Sequence, residues 1–136
     1  MTSDAFNRLT ADDLERITAQ SFVKYIDFHN QLASTNDRAA QLCRTDDLPL
    51  PALALTMRQI AGRGRGDNRW WAADGALTFS LVLDAHQSGG LDASPAMMSL
   101  VTALGIADAL DHLLSPTHLC QVKWPNDVYV DGRKIC

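Results

Sequence analysis

Positive charge is in short supply in this sequence, with 12 lysines and arginines against 16 aspartates and glutamates and a formal net charge of −4. That balance argues against nucleic acid as a partner, because such partners are gathered first by a basic surface. Cysteine is also sparse. Cys43, Cys120 and Cys136 are odd in number and far apart, without the paired spacing of a zinc site or the density of a disulfide scaffold, so reduced thiols are expected and no metal site is assigned. No apolar run approaches the ~18 residues that a membrane span requires. The start, Met1-Thr2-Ser3-Asp4-Ala5, lacks the basic residues and apolar core of a signal peptide. These absences point to a cytoplasmic protein with no membrane partner. No long polar or repetitive tract suggests disorder. What remains is a chain of 136 residues, 46% of them hydrophobic, long enough for one domain with a core and too short for two.

Periodicity and capping signals divide the chain into alternating helices and strands. Thr10, followed by Asp13 and Glu15, predicts a capped helix start, since a hydroxyl and early acids satisfy free amides and oppose the positive helix end. Aromatic and β-branched content favours a strand over 22–28. Ser34-Thr35-Asn36-Asp37 is a cluster of cap-forming side chains ahead of a second helix. After Pro49 and Pro51, residues 53–57 suit a strand that runs into a glycine-arginine segment expected to be a loop. Residues 77–83 alternate Leu77, Phe79, Leu81 and Leu83 with Thr78 and Ser80, the pattern of a half-buried strand. Ser94-Pro95 opens a helix over 96–114 that should pack across the sheet. Short strands are expected at 121–124, 128–130 and 133–135, the last two joined by the hairpin dipeptide Asp131-Gly132. The fold class is therefore α/β, a mixed sheet with packed helices.

Two segments carry charge and turn residues in patterns suited to chemistry. Gly62-Arg63-Gly64-Arg65-Gly66 alternates residues that allow close backbone approach with planar, permanently charged donors, as a loop needs to wrap an anion. It has neither the Lys-Ser/Thr ending of a nucleoside-triphosphate loop nor the spacing of a dinucleotide fingerprint. On spacing alone, a flexible basic surface loop explains it as well. Lys123-Trp124-Pro125-Asn126-Asp127 places a cation, a large ring and two turn-forming polar side chains between strands. A tight turn explains that segment equally well, with Trp124 as a core residue.

Taken together and in order, these segments resemble the biotin protein ligase family. Ser34-Thr35-Asn36 stands at a helix start, Gln59 precedes Gly62-Arg63-Gly64-Arg65 and Trp70, Lys123 to Asp127 follow, and a hairpin ends in Arg133-Lys134. The resemblance spans most of residues 22–136. It implies a class II synthetase-like biotin/lipoate ligase catalytic fold and a two-step reaction. Biotin is activated by ATP to biotinyl-AMP and pyrophosphate, and a lysine of a biotin carboxyl carrier protein then takes the biotinyl group. Arg63 and Lys134 are the implied catalytic cations. Biotin binding is implied for Ser34, Thr35, Asn36, Gln59, Gly62, Arg63, Gly64, Arg65 and Lys134. ATP binding is implied for Arg65, Trp70, Lys123, Asn126 and Asp127, with Mg²⁺ accompanying the phosphates. A lipoate ligase and a non-catalytic binder of biotin or biotinyl-AMP are the alternatives.

The sequence departs from the family's pattern in two places. Where the family commonly continues its loop with Arg-Gly-Arg, this chain has Gly66-Asp67-Asn68. The exchanged charge is expected to weaken nucleotide binding, at about 1 kcal/mol per unit charge at close range in water and more in a drier pocket. The second departure is length. Family catalytic domains continue past the Arg-Lys hairpin, so residues 1–136 are expected to be a single partial domain, incomplete at the C-terminus and without an N-terminal helix-turn-helix. The short return strand leaves a sheet edge that a homodimer would pair.

Overall fold

The computed structural model describes residues 9–64, 66–84 and 94–136. Arg65, with its implied ligand contacts, lies outside them. The chain divides into two units, Met1–Gly89 and Gly90–Cys136.

The first unit opens with α1 (Ala11–Gln20), where the Asp13 amide donates to Thr10 Oγ1 at 3.2 Å and the Thr10 amide donates to Asp13 Oδ2 at 3.0 Å. This reciprocal box satisfies two amides that the helix itself cannot, and it holds the Asp13 carboxyl below the usual carboxylate range. Strand β1 (Tyr25–His29) leads into α2 (Thr35–Leu42), and β2 (Ala52–Thr56) runs parallel to β1. Two short strands follow, β3 (Gly62–Arg63) and β4 (Arg69–Trp70), and then β5 (Thr78–Val82), antiparallel to β2. The sheet order β1-β2-β5 is thus mixed, as the sequence suggests.

The two faces of this sheet differ in side-chain size. Leu53 and Leu55 of β2 join Val23 in the core, with Leu9, Leu14, Ile26 and Phe28 packed against them. Ala52, Ala54 and Thr56 point to the opposite face, where α2 packs on β2 and β5. Small residues there let the helix lie close to the backbone. Registration places Phe79 and Leu81 beside Leu55 and Leu53, and Thr78, Ser80 and Val82 beside Thr56, Ala54 and Ala52.

The alternation expected in β5 is therefore present, but its apolar stripe is the more open side. Phe79 is 46% exposed and Leu81 37%, while Val82 is buried. Two further expectations need correction. The first strand begins at Tyr25 rather than position 22, because the Val23 amide is held by Ser21 Oγ and the Lys24 amide by the Pro51 carbonyl. The glycine-arginine segment is not wholly a loop. Gly62 and Arg63 pair with Trp70 and Arg69, and the Gly64 amide donates to the Asn68 carbonyl at 2.7 Å.

In the second unit α3 (Pro95–Asp111) packs on β6 (Cys120–Lys123) and β7 (Asp127–Val130), and β8 (Arg133–Lys134) pairs with β7. Ala103 and Val128 are its buried centre. The helix ends at Asp111, short of the expected 114, with His112 as its cap. Asp131 and Gly132 both take positive φ, 50° and 75°, as the two central positions of a primed hairpin turn require. The Asp131 carboxylate accepts from the Leu119 amide and sits 2.6 Å from His118 Nδ1, which together hold its carboxyl below the usual range. Trp124, expected in the core, is 74% exposed. It sits between β6 and β7 in the turn itself, not on a strand face. Among the described residues, no helix is long and apolar enough to cross a membrane.

Candidate functional site

Backbone pairing between β1 and β2 does not stop at the strand ends. The Met57 amide donates to the His29 carbonyl, Leu32 to Arg58, Ile60 to Leu32 and Ala61 to Ala33, with an isolated parallel bridge between Leu32 and Gln59. The two loops leaving the C-terminal ends of these parallel strands are thereby zipped together. That pairing carries Gln59 to the first turn of α2, beyond the C-terminal ends of the two parallel strands.

A helix start leaves amides without intrahelical partners, and here the partners come from two directions. Ser34 is the N-cap, buried, with its hydroxyl accepting from the Asp37 amide at 3.4 Å. The Thr35 amide donates to Gln59 Oε1 at 2.8 Å, and Thr35 Oγ1 lies 3.3 Å from the same oxygen. Thr35 is buried, whereas Asn36 is exposed. Gln59 in turn rests against Gly62. A Cβ at position 62 would lie 2.4 Å from Gln59 Nε2 and 2.8 Å from the Trp70 carbonyl, so only glycine fits. Trp70 is 40% exposed beside it. Arg63 is exposed and forms a close ion pair with Asp37, its Nη2 donating to Oδ1.

Sequence reasoning missed two members of this cluster. Ser80 on β5 places Oγ 3.0 Å from Thr35 Oγ1 and 2.6 Å from Asn36 Oδ1. Nothing in the sequence marks it, because a lone serine on the polar side of an alternating strand is ordinary. The second is Asp27 of β1, buried on the face that α2 covers. Arg38 of α2 grips it with both Nε (2.7 Å to Oδ2) and Nη2 (3.1 Å to Oδ1), and His29 Nε2 lies 2.9 Å from Oδ2. The Arg38 hydrogen bonds, ahead of the cost of burial and the help of His29, hold the Asp27 carboxyl below the usual carboxylate range, and the same contact raises Arg38 above its usual value. Asp27, Ala54 and Ser80 form one row across the three strands. Helix α2 is therefore clamped to the sheet at both edges of the row, with the small Ala54 between.

The remaining expected residues lie in the second unit. Lys123 and Asp127 face each other as a cross-strand pair closing the β6-β7 hairpin, with Asn126 exposed in the turn. Lys134 on β8 donates from Nζ to Asp127 Oδ1 at 2.8 Å. This brings together Lys134, Asp127 and Lys123. A shallow depression of about 410 Å³ lies on the same hairpin, lined by Gln121, Val122, Lys123 and Tyr129. Among the described residues, the first unit thus presents neutral amide and hydroxyl groups with Arg63 nearby, and the second presents lysines beside a carboxylate. Neutral polar groups suit an uncharged polar ring, and lysines suit an anion.

Known proteins resemble this chain in sequence and in fold. Residues 28–136 match the biotin/lipoate A/B protein ligase family. A biotin--[acetyl-CoA-carboxylase] ligase of Paracoccus denitrificans is 39% identical over 75% of this chain and 40% of its own length. The chloroplastic biotin--protein ligase 1 of Arabidopsis thaliana is 27% identical over 99% of this chain and 38% of its own. The crystal structure of a biotin acetyl coenzyme A carboxylase synthetase from Helicobacter pylori, with bound biotinylated ATP, aligns with a TM-score of 0.69 at 27% identity, covering 81% of this chain and 51% of that one. The chain spans about two fifths of the length of the curated relatives it matches.

Proposed function

Because the chain belongs to the biotin/lipoate A/B protein ligase family, we propose that it is part of a biotin protein ligase catalytic domain that binds biotin and ATP. In this reading a biotin carboxylate oxygen attacks the α-phosphorus of ATP, the bond to pyrophosphate breaks, and biotinyl-AMP forms. A lysine amine of a biotin carboxyl carrier protein then attacks the acyl carbonyl, loses a proton and expels AMP. The observation that carries the proposal is the cluster of Ser34, Thr35, Asn36 and Gln59 at the zipped ends of β1 and β2. A ureido ring is neutral and rich in donors and acceptors, so it is matched by amides and hydroxyls held in fixed positions, not by charge.

Both reacting groups are anions, and the residues that suit them are cations. Arg63 and Lys134 would align carboxylate and α-phosphate and stabilise the charge that develops in transfer. Each has a carboxylate at hand, Asp37 and Asp127. Trp70, Lys123 and Asn126 would meet the nucleotide. Mg²⁺ would arrive with the triphosphate and neutralise its oxygens. Asp127 fits it as a hard oxygen donor with one oxygen on Lys134 Nζ, since Mg²⁺ uses one or two carboxylates alongside phosphate.

A second reading, binding of biotin without adenylation, is favoured by the Gly66-Asp67-Asn68 segment that replaces arginine between β3 and β4. One experiment separates the two. The purified chain is titrated with biotin and with lipoate, alone and with Mg-ATP, while pyrophosphate release and label transfer to an unmodified carrier protein are followed. A ligase gives biotin-dependent pyrophosphate and labelled carrier. Biotin heat without pyrophosphate leaves the binder, and a response to lipoate in place of biotin overturns both.

A further inference from the structure

The Gly66-Asp67-Asn68 segment leaves the turn between β3 and β4 short of positive charge, yet β4 opens with Arg69, a residue outside the motifs that carry the family resemblance. The β3-β4 ladder sets Arg69 directly opposite Arg63. We propose that Arg69 is a phosphate-binding residue, the second arm of a two-arginine clamp with Arg63. The assignment of that phosphate to ATP rests on the ligase reading above.

Residues directly opposite in an antiparallel pair share a face, with their Cβ atoms about 4.5–5.5 Å apart. Arg63 and Arg69 therefore leave the ladder on the same side. Arg63 identifies that side, because its Nη2 donates to Asp37 Oδ1 on α2. Like charges set opposite one another destabilise a strand pair, and neither arginine is buried, so packing does not offset that cost. One carboxylate, Asp37, stands against the two cations. It pairs with Arg63, and among the described residues Arg69 enters no ion pair. The opposed arginines thus keep an excess of positive charge that a second anion would relieve.

The backbone beneath them is held on both sides. The Gly64 amide donates to the Asn68 carbonyl at 2.7 Å, and Gly62 fits against Gln59 and the Trp70 carbonyl with no room for a Cβ. The clamp therefore stands next to the amide side chain that reaches Thr35. Each guanidinium is a planar fork of N–H donors that matches a pair of phosphate oxygens. With five N–H groups, Arg63 can keep Asp37 and still meet a ligand. A pyrophosphate or triphosphate, with several charged oxygens in a row, suits two forks side by side.

The test uses the full chain, as wild type, Arg69→Ala and Arg69→Lys. Each is titrated calorimetrically with Mg-ATP, with inorganic pyrophosphate and with biotin, at low and high salt, and each ligand-free protein is melted. Arg69→Ala is expected to bind ATP and pyrophosphate about fivefold more weakly at low salt, and the gap should narrow as salt rises. Arg69→Lys, which keeps the charge and loses the fork, should fall between. Stability should move the other way. Removing one of two opposed cations is expected to leave the melting temperature unchanged or raise it by about 1–3 °C, whereas losing a residue that only held the ladder together would lower it. ATP and pyrophosphate affinities unmoved in Arg69→Ala overturn the proposal, as does a loss of affinity accompanied by a lower melting temperature, or a wild type that binds neither phosphate ligand. A wild type whose ATP binding depends on Arg69 but which takes no biotin keeps the clamp and removes the biotin reading. Biotin binding with ATP affinity indifferent to Arg69 does the reverse.

Discussion

At Gly62 the protein has room for a hydrogen and for nothing larger, since a Cβ would meet Gln59 Nε2 and the Trp70 carbonyl. Gly62→Ala is expected to push Gln59 away from Thr35, costing about 1–3 kcal/mol of stability and weakening biotin binding about tenfold. Thermal melts and calorimetry measure the two effects, and intact binding would show that Gln59 has another route to its place. Asp27 makes a prediction in pH. Its carboxyl is held below the usual range chiefly by Arg38, so the ionised form favours the fold. That contribution is fully present above the unfolded-chain value of about 3.9 and is lost as pH falls through the lower folded value. Asp27→Asn should therefore lower stability near neutral pH by about 1–2 kcal/mol, the partly exposed Arg38 moderating the loss, and should flatten the fall of melting temperature below about pH 4. Equal acid limbs in the two proteins would remove Asp27 from the account. Ser34, Thr35 and Asn36 were legible in the sequence because cap residues cluster at a helix start. Asp27 and Ser80 were not, since each is a single polar residue in a strand whose partner is set by sheet register.

Strands show what periodicity tells and what it leaves open. The alternation of β5 is visible in its sequence, but which stripe is covered depends on the neighbouring strand. β2 reads Ala-Leu-Ala-Leu-Thr, every position buried. A run with no polar residue before its final threonine does not reveal that its alanine side lies under α2 and its leucine side under α1's part of the core. The β3-β4 pairing was missed for a related reason. Glycine and arginine lack strand propensity, and a two-residue ladder draws its order from the Gly64 amide and Asn68 carbonyl instead. Ala54 tests the close approach of helix to sheet. It is fully buried. Ala54→Leu is expected to lift α2, lowering stability by about 1–3 kcal/mol and the urea midpoint with it, and to weaken biotin binding through the displaced first turn. A midpoint like that of the wild type would mean that the helix has slack.

For the whole molecule, the residues proposed to meet biotin occur in both units, neutral amides in the first and Lys134 in the second. Their contributions separate with one pair of ligands. Biotin methyl ester keeps the ureido ring and loses the carboxylate charge. The wild type is expected to prefer biotin over the ester about fivefold at low salt, and the preference should shrink in Lys134→Ala and at high ionic strength, both readable by competition binding. A preference untouched by the substitution would assign the carboxylate to Arg63 alone. The zipped loops beyond β1 and β2 also bear on how such a chain tolerates change in length. Between 29–33 and 57–61, four backbone hydrogen bonds and the Leu32–Gln59 bridge hold the two loops in one register. One added amino acid on either side would shift Gln59 out of register with Thr35. Between α2 and β2, where Arg44 to Asp47 are exposed and unpaired with any strand, the same addition meets no such constraint. Lineages and protein engineers alike should find the first two loops fixed in length and the third free to grow.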